Sequence, residues 1–120
     1  MLNLTPHDIT IQAEDGTAIT IPPSGAVARV DMTEITVGYA VIDGNKQVPL
    51  ITRIACGITG LDEYGTGVAI VSSMVLDYLQ STRDRRYALY VIYAPDTGDT
   101  AIRNGKGHVE AVTRLVGMAE

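Results

Sequence analysis

Val68-Ala69-Ile70-Val71-Ser72-Ser73-Met74-Val75-Leu76-Asp77-Tyr78-Leu79-Gln80 is the stretch that decides the fold class. Its first four residues are an unbroken apolar run, the pattern of a buried strand. Ser72 or Ser73 then supplies an oxygen suited to a helix N-cap. Val75, Tyr78 and Leu79 recur at i, i+3 and i+4, so the spacing predicts a helix through about Gln80.

On either side of this helix the chain reads as short strands. Upstream, Ile9 and Ile11 share one face, Glu14-Asp15-Gly16 signals a hairpin turn, and Thr17 to Ile21 returns with Ile19 and Ile21 aligned. Pro22-Pro23 ends that pairing because proline cannot donate to a ladder. Ala26 to Met32 reads as the next strand. Ile35 to Ile42 and Gln47 to Ile54 form a second hairpin about Asp43-Gly44-Asn45. The glycine-punctuated segment Gly57 to Gly67 reads as loop. Downstream, the polar run Ser81 to Arg86 ends the helix. Tyr87 to Tyr93 is a strand, Pro95 to Asp99 a turn, and Ala101 to Asn104 with His108 to Leu115 a closing hairpin. The expectation is a single α+β domain over residues 1–120, a mostly antiparallel β-sheet with one main helix. The edges of such a sheet need cover, which favours self-association.

Composition narrows the function classes. The net charge of −5 argues against DNA or RNA as partner, since that binding rests on a summed positive field. It leaves room for a small anion held by a few convergent arginines. Tyrosine is the only aromatic residue, so the core must be aliphatic and six Tyr rings are the only surfaces on which a base could stack. Cys56 is the sole cysteine. It excludes an internal disulfide, fits a reducing compartment, and is expected to be a buried structural residue. With no leader-like N-terminus and no 18-residue apolar run, the expectation is a cytoplasmic protein without a membrane span.

Most motifs reduce to local structure. Asp96-Thr97-Gly98 matches an aspartic-protease triplet, but Pro95 precedes it and a turn accounts for it. Gly65-Thr66-Gly67 precedes a strand rather than following one, so it is no dinucleotide fingerprint. His7 and His108 have no companion ligands at metal-binding spacing, and no metal or cofactor is expected. Arg83, Arg85 and Arg86 read as charge complementing a helix C-terminus. Without a nucleophile–base pair, an enzyme is not expected. Arg29 and Arg103 are different: each lies in a strand beside a turn. Together with the free N–H groups at the helix start they form a candidate phosphate-binding set, to which Tyr78 would add a stacking face.

The segments "NLTPHDITI", "IPPSG" leading to "ARV", "VAIVSS", and "PDTGDTAIRNGKGHVEAVTRL" occur in that order. In this the chain resembles the first-described type of phage Thoeris anti-defence proteins, the signal sponges. The resemblance covers most of the chain and is thinnest between Ile35 and Gly65. It implies a small β-rich protein that binds a cyclic ADP-ribose isomer, in some members also cyclic oligonucleotides, without cleaving it. It further implies a homodimer or higher homo-oligomer whose pockets use both subunits. On this resemblance Arg29 and Arg103 would hold the diphosphate and Tyr78 would stand where the family has an aromatic. Ser73, Met74 and Asn104 are further candidates. Two other classes stay open: a phage virion accessory protein, and a nucleotide phosphodiesterase using His7 or His108.

Overall fold

The computed structural model describes residues 1–118. Its centre is a strand–helix–strand unit: β6 (Gly67–Ile70), α1 (Ser73–Thr82) and β7 (Tyr90–Pro95). Ser72 is the N-cap, its Oγ accepting from the Val75 N–H at 3.4 Å. The helix stops at Arg83, which takes a left-handed conformation and donates its N–H to the Leu79 carbonyl. Val75, Leu76 and Leu79 are the helix's buried residues and pack with Leu4, Ala69, Val71, Ile92 and Ala94. Each such aliphatic side chain contributes about 1.5–3 kcal/mol on full burial.

β6 and β7 are parallel, and β1 (Leu2–Asn3) adds a third parallel strand on the outer side of β6. The fourth strand, β10 (Leu115–Gly117), runs antiparallel to β7. The remaining pairs are antiparallel hairpins: β2 (Ile9–Gln12) with β3 (Ala18–Ile21), β4 (Arg29–Ile42) with β5 (Lys46–Thr59), and β8 (Ile102–Arg103) with β9 (Val109–Ala111). The protein is α+β, with one α-helix among the described residues and antiparallel pairing in most of their ladders. No helix among the described residues is long and apolar enough to cross a membrane.

Several local expectations hold. The first hairpin pairs Ile9 with Ile21 and Ile11 with Ile19, as the alternation requires. Asp96 forms a side-chain turn, its Oδ1 accepting from the Gly98 N–H at 3.1 Å.

Others are corrected. Residues 26–32 and 35–42 are not two strands: β4 runs unbroken from Arg29 to Ile42, and β5 continues to Thr59, into the expected loop. Bulges at Asp31/Met32 and Thr36/Gly38 absorb the change of phase that reads as a break in sequence. The result is a hairpin with two 14-residue arms, exposed along almost its whole length. Cys56 lies on it and is exposed, because no layer of the chain covers that stretch; its Sγ donates to the Asp31 carbonyl at 3.4 Å. The strand expected from Tyr87 starts at Tyr90, since residues Arg85–Tyr87 form a 3-10 turn that buries Tyr87. His108 to Leu115 is not one strand either: β9 stops at Ala111, and Leu115 pairs with Pro95 in the central sheet. Arg85 and Arg86 lie beyond the helix and not in its last turn. Arg86 is engaged by Asp84 at 2.5 Å and Glu63 at 2.8 Å, so its charge answers carboxylates rather than the helix dipole.

Candidate functional site

Three parallel strands end on the same side of the sheet, and the chain leaving each one is drawn into a common crevice. Such crevices at carboxyl ends are the usual ligand positions of parallel sheets. Beyond β1 come Thr5 and Pro6, beyond β6 the helix start at Ser72, and beyond β7 the turn at Thr97. Two adjoining cavities open here, sharing Thr5, Pro6 and Ser72 as a common wall.

The larger, about 440 Å³, is lined by His7, Asp8, Ser73, Thr97 and Glu110 among others. The smaller, about 220 Å³, is lined by Leu4, Val27–Val30, and Met74. Arg29 is the cation of the smaller one. The larger has hydroxyl and carboxylate walls, better matched to the hydroxyls of a sugar than to phosphate.

Asn3 shapes the shared wall. It is 1 % exposed, and its side chain makes four hydrogen bonds, the full capacity of an amide. Nδ2 donates to the carbonyls of His7 and Ile21, each at 2.9 Å. Oδ1 accepts from the Thr5 N–H at 3.0 Å and the Thr5 hydroxyl at 2.7 Å. One buried residue therefore fixes the Thr5–His7 loop that both cavities use.

The sequence candidates are distributed unevenly. Ser73 lines the larger cavity; Arg29 and Met74 line the smaller, with Met74 59 % exposed. Arg103 lines neither. Its Nη1 donates to the Gly107 carbonyl at 2.9 Å and its Nη2 to the Thr97 carbonyl at 2.6 Å, so it holds Thr97, which lines the larger cavity. Within one chain the two arginines do not share a cavity. Asn104 serves its own loop, Oδ1 accepting from the N–H groups of Lys106 and His108. Tyr78 is half-buried and contributes to neither cavity. One helical turn separates it from Met74, about 6 Å along the axis.

Thr5, Pro6, Asp8 and Glu110 were not legible as site residues. Their signal was Leu2-Asn3-Leu4 ahead of Thr5-Pro6, an apolar start too short to count as a strand until its parallel partner β6 is known. Carboxylates elsewhere show shifted protonation. The Gly98 N–H and then the Arg114 guanidinium hold Asp96 below the ordinary carboxylate range, and Arg86 does the same for Asp84. Among the described residues no cluster of three His, Cys, Asp or Glu could hold a metal ion. No protein-family model, no curated protein and no solved structure matches the chain.

Proposed function

We propose that the protein is a phage anti-defence sponge: it binds a cyclic ADP-ribose isomer in the host cytoplasm and sequesters it without cleavage. One observation carries this reading. The paired cavities at the carboxyl ends of the parallel strands put Arg29 at one end and sugar-matched groups, Asp8, Ser73 and Glu110, at the other. The helix start at Ser72 and Ser73 lies between them, with N–H groups that favour an anion. A diphosphate joined to a ribose would match that order, its charge toward Arg29 and the helix start and its hydroxyls toward Asp8, Ser73 and Glu110. Sequestration asks for no nucleophile and no base, only affinity on the order of −12 kcal/mol to outcompete a nanomolar receptor.

The test is to incubate the protein with the cyclic ADP-ribose isomer, filter off the protein, heat-denature it and chromatograph what it releases. Depletion with intact ligand recovered supports the sponge. Depletion with altered product means an enzyme, and His7, which lines the larger cavity, becomes the first residue to replace. Absence of depletion removes this ligand.

A further inference from the structure

The two adjoining cavities are sorted by charge. Arg29 is the only ionisable side chain lining the smaller one. The larger one is lined by Asp8, Glu110 and His7, with no lysine or arginine among the described residues of its wall. Arg103, whose Nη2 reaches Thr97 in that wall, has both terminal nitrogens bonded to carbonyls, and Arg114 is paired with Asp96. Asp8 and Glu110 themselves make no hydrogen bond or ion pair with any described residue.

Strand pairing brings the two carboxylates together. Val112 donates its N–H to the Thr10 carbonyl and accepts from the Gln12 N–H, each at 2.9 Å, so β9 leads into a parallel bridge beside β2. Two residues back along that register, Glu110 comes level with Ile9, the neighbour of Asp8.

We infer that Asp8 and Glu110 are specificity residues: they admit a ribose whose hydroxyls are free and reject one that carries a phosphate. This rests on the reading of the paired cavities as a diphosphate–ribose site. An ionised carboxylate only accepts hydrogen bonds, so it needs donors from whatever fills the cavity, and the adjacent hydroxyls of a ribose supply them. A phosphate on that ribose replaces a donor with acceptors and brings a charge of about −1.5 to −2 against two carboxylates. A site that bonds a ligand hydroxyl discriminates against an analogue lacking it, because its polar groups are left unpaired. Both carboxylates are exposed, and water and salt screen the repulsion. The expected discrimination is therefore about thirtyfold rather than the roughly 10⁴-fold of a buried site.

The test is titration calorimetry of the intact protein with ADP and with 3′-phospho-ADP, which differ only by a phosphate on the ribose. ADP should bind about thirtyfold more tightly. Glu110→Gln and Asp8→Asn lie on different elements, and each should shrink that ratio about threefold or more by raising the affinity for the phosphorylated nucleotide. Either one suffices if the other fails to fold. Glu14→Gln removes the same charge in the β2–β3 turn, outside both cavities, and should leave the ratio unchanged. Equal affinities for the two nucleotides in the parent protein overturn the inference. A ratio that responds equally to Glu14→Gln and Glu110→Gln also overturns it, since the effect would then belong to the net charge of −5. Binding of neither nucleotide overturns it as well. The sponge is judged separately, by the cyclic ADP-ribose isomer: capture of that isomer without discrimination between the two nucleotides would keep the proposed function and remove Asp8 and Glu110 as its specificity residues.

Discussion

Arg103 Nη2 donates to the Thr97 carbonyl at 2.6 Å, which ties β8 to the turn after β7. The guanidinium that reads in sequence as a ligand contact is thus occupied within its own chain, its other terminal nitrogen holding Gly107. The two arginines should therefore fail differently. Arg29 is exposed at the rim of the smaller cavity, so Arg29→Ala should leave the melting temperature nearly unchanged. Under the proposed function it should weaken ligand capture about tenfold or more, the worth of a charged hydrogen bond. Arg103→Ala should lower both stability, by about 1 kcal/mol, and capture. Titration calorimetry and thermal melts on both variants separate these outcomes. Equal affinity in folded Arg29→Ala would remove Arg29 from the site.

Replacing Asn3 by Asp keeps the shape and removes two donors. The carboxylate would then face the carbonyls of His7 and Ile21, with which Nδ2 now bonds. Leaving buried acceptors unsatisfied and burying a charge beside them should cost about 3 kcal/mol or more. Urea unfolding should show it as a lower midpoint, and capture should fall with it because the Thr5–His7 loop loses the bond from Asn3 Nδ2 to the His7 carbonyl.

How much of this was written in the chain depended on range. Ser72, Val75 and Leu79 announce the helix because capping and a 3.6 period act within a few residues. The Ile9–Ile21 hairpin is equally local. The parallel pairing of β1 with β6 spans more than sixty residues, and nothing near Leu2 and Asn3 marks it. The crevice depends on that pairing, so Arg29 could be picked out by type, Ser73 as part of the helix start and Met74 only through the resemblance, while Thr5, Asp8 and Glu110 could not. Cys56 misled for the opposite reason: cysteine's general preference for burial says nothing about a strand that leaves the body of the protein.

Asp96 gives a dependence on pH. Its folded carboxyl is held below the ordinary value, first by the Gly98 N–H and then by Arg114, whose Nη2 lies 2.6 Å from Oδ2. A depressed folded value stabilises the protein above the unfolded carboxylate pKa of about 3.9 and is lost as pH falls through the folded value. Asp96→Asn should lower the melting temperature by a constant amount above about pH 5, with the gap to the parent closing below about pH 4. A gap that stays open in acid would mean that the turn draws on contacts other than this charge.

Gly60 ends the long arm where it returns to the body. Its φ is +90°, and an added Cβ would overlap the Val27 carbonyl and crowd Ala28. Both obstacles are backbone, so no side-chain rotation relieves them. Gly60→Ala should push the turn away from residues 27–28, which line the Arg29 cavity, and should cost more than the roughly 1 kcal/mol of a left-handed alanine alone. Gly44 tests the reasoning. At the arm's tip its φ is +82° but nothing lies within reach of a Cβ. Gly44→Ala should cost only the backbone term and leave capture intact. Equal losses for the two variants would show that conformational strain, and not the close approach at Val27, accounts for the glycine at position 60.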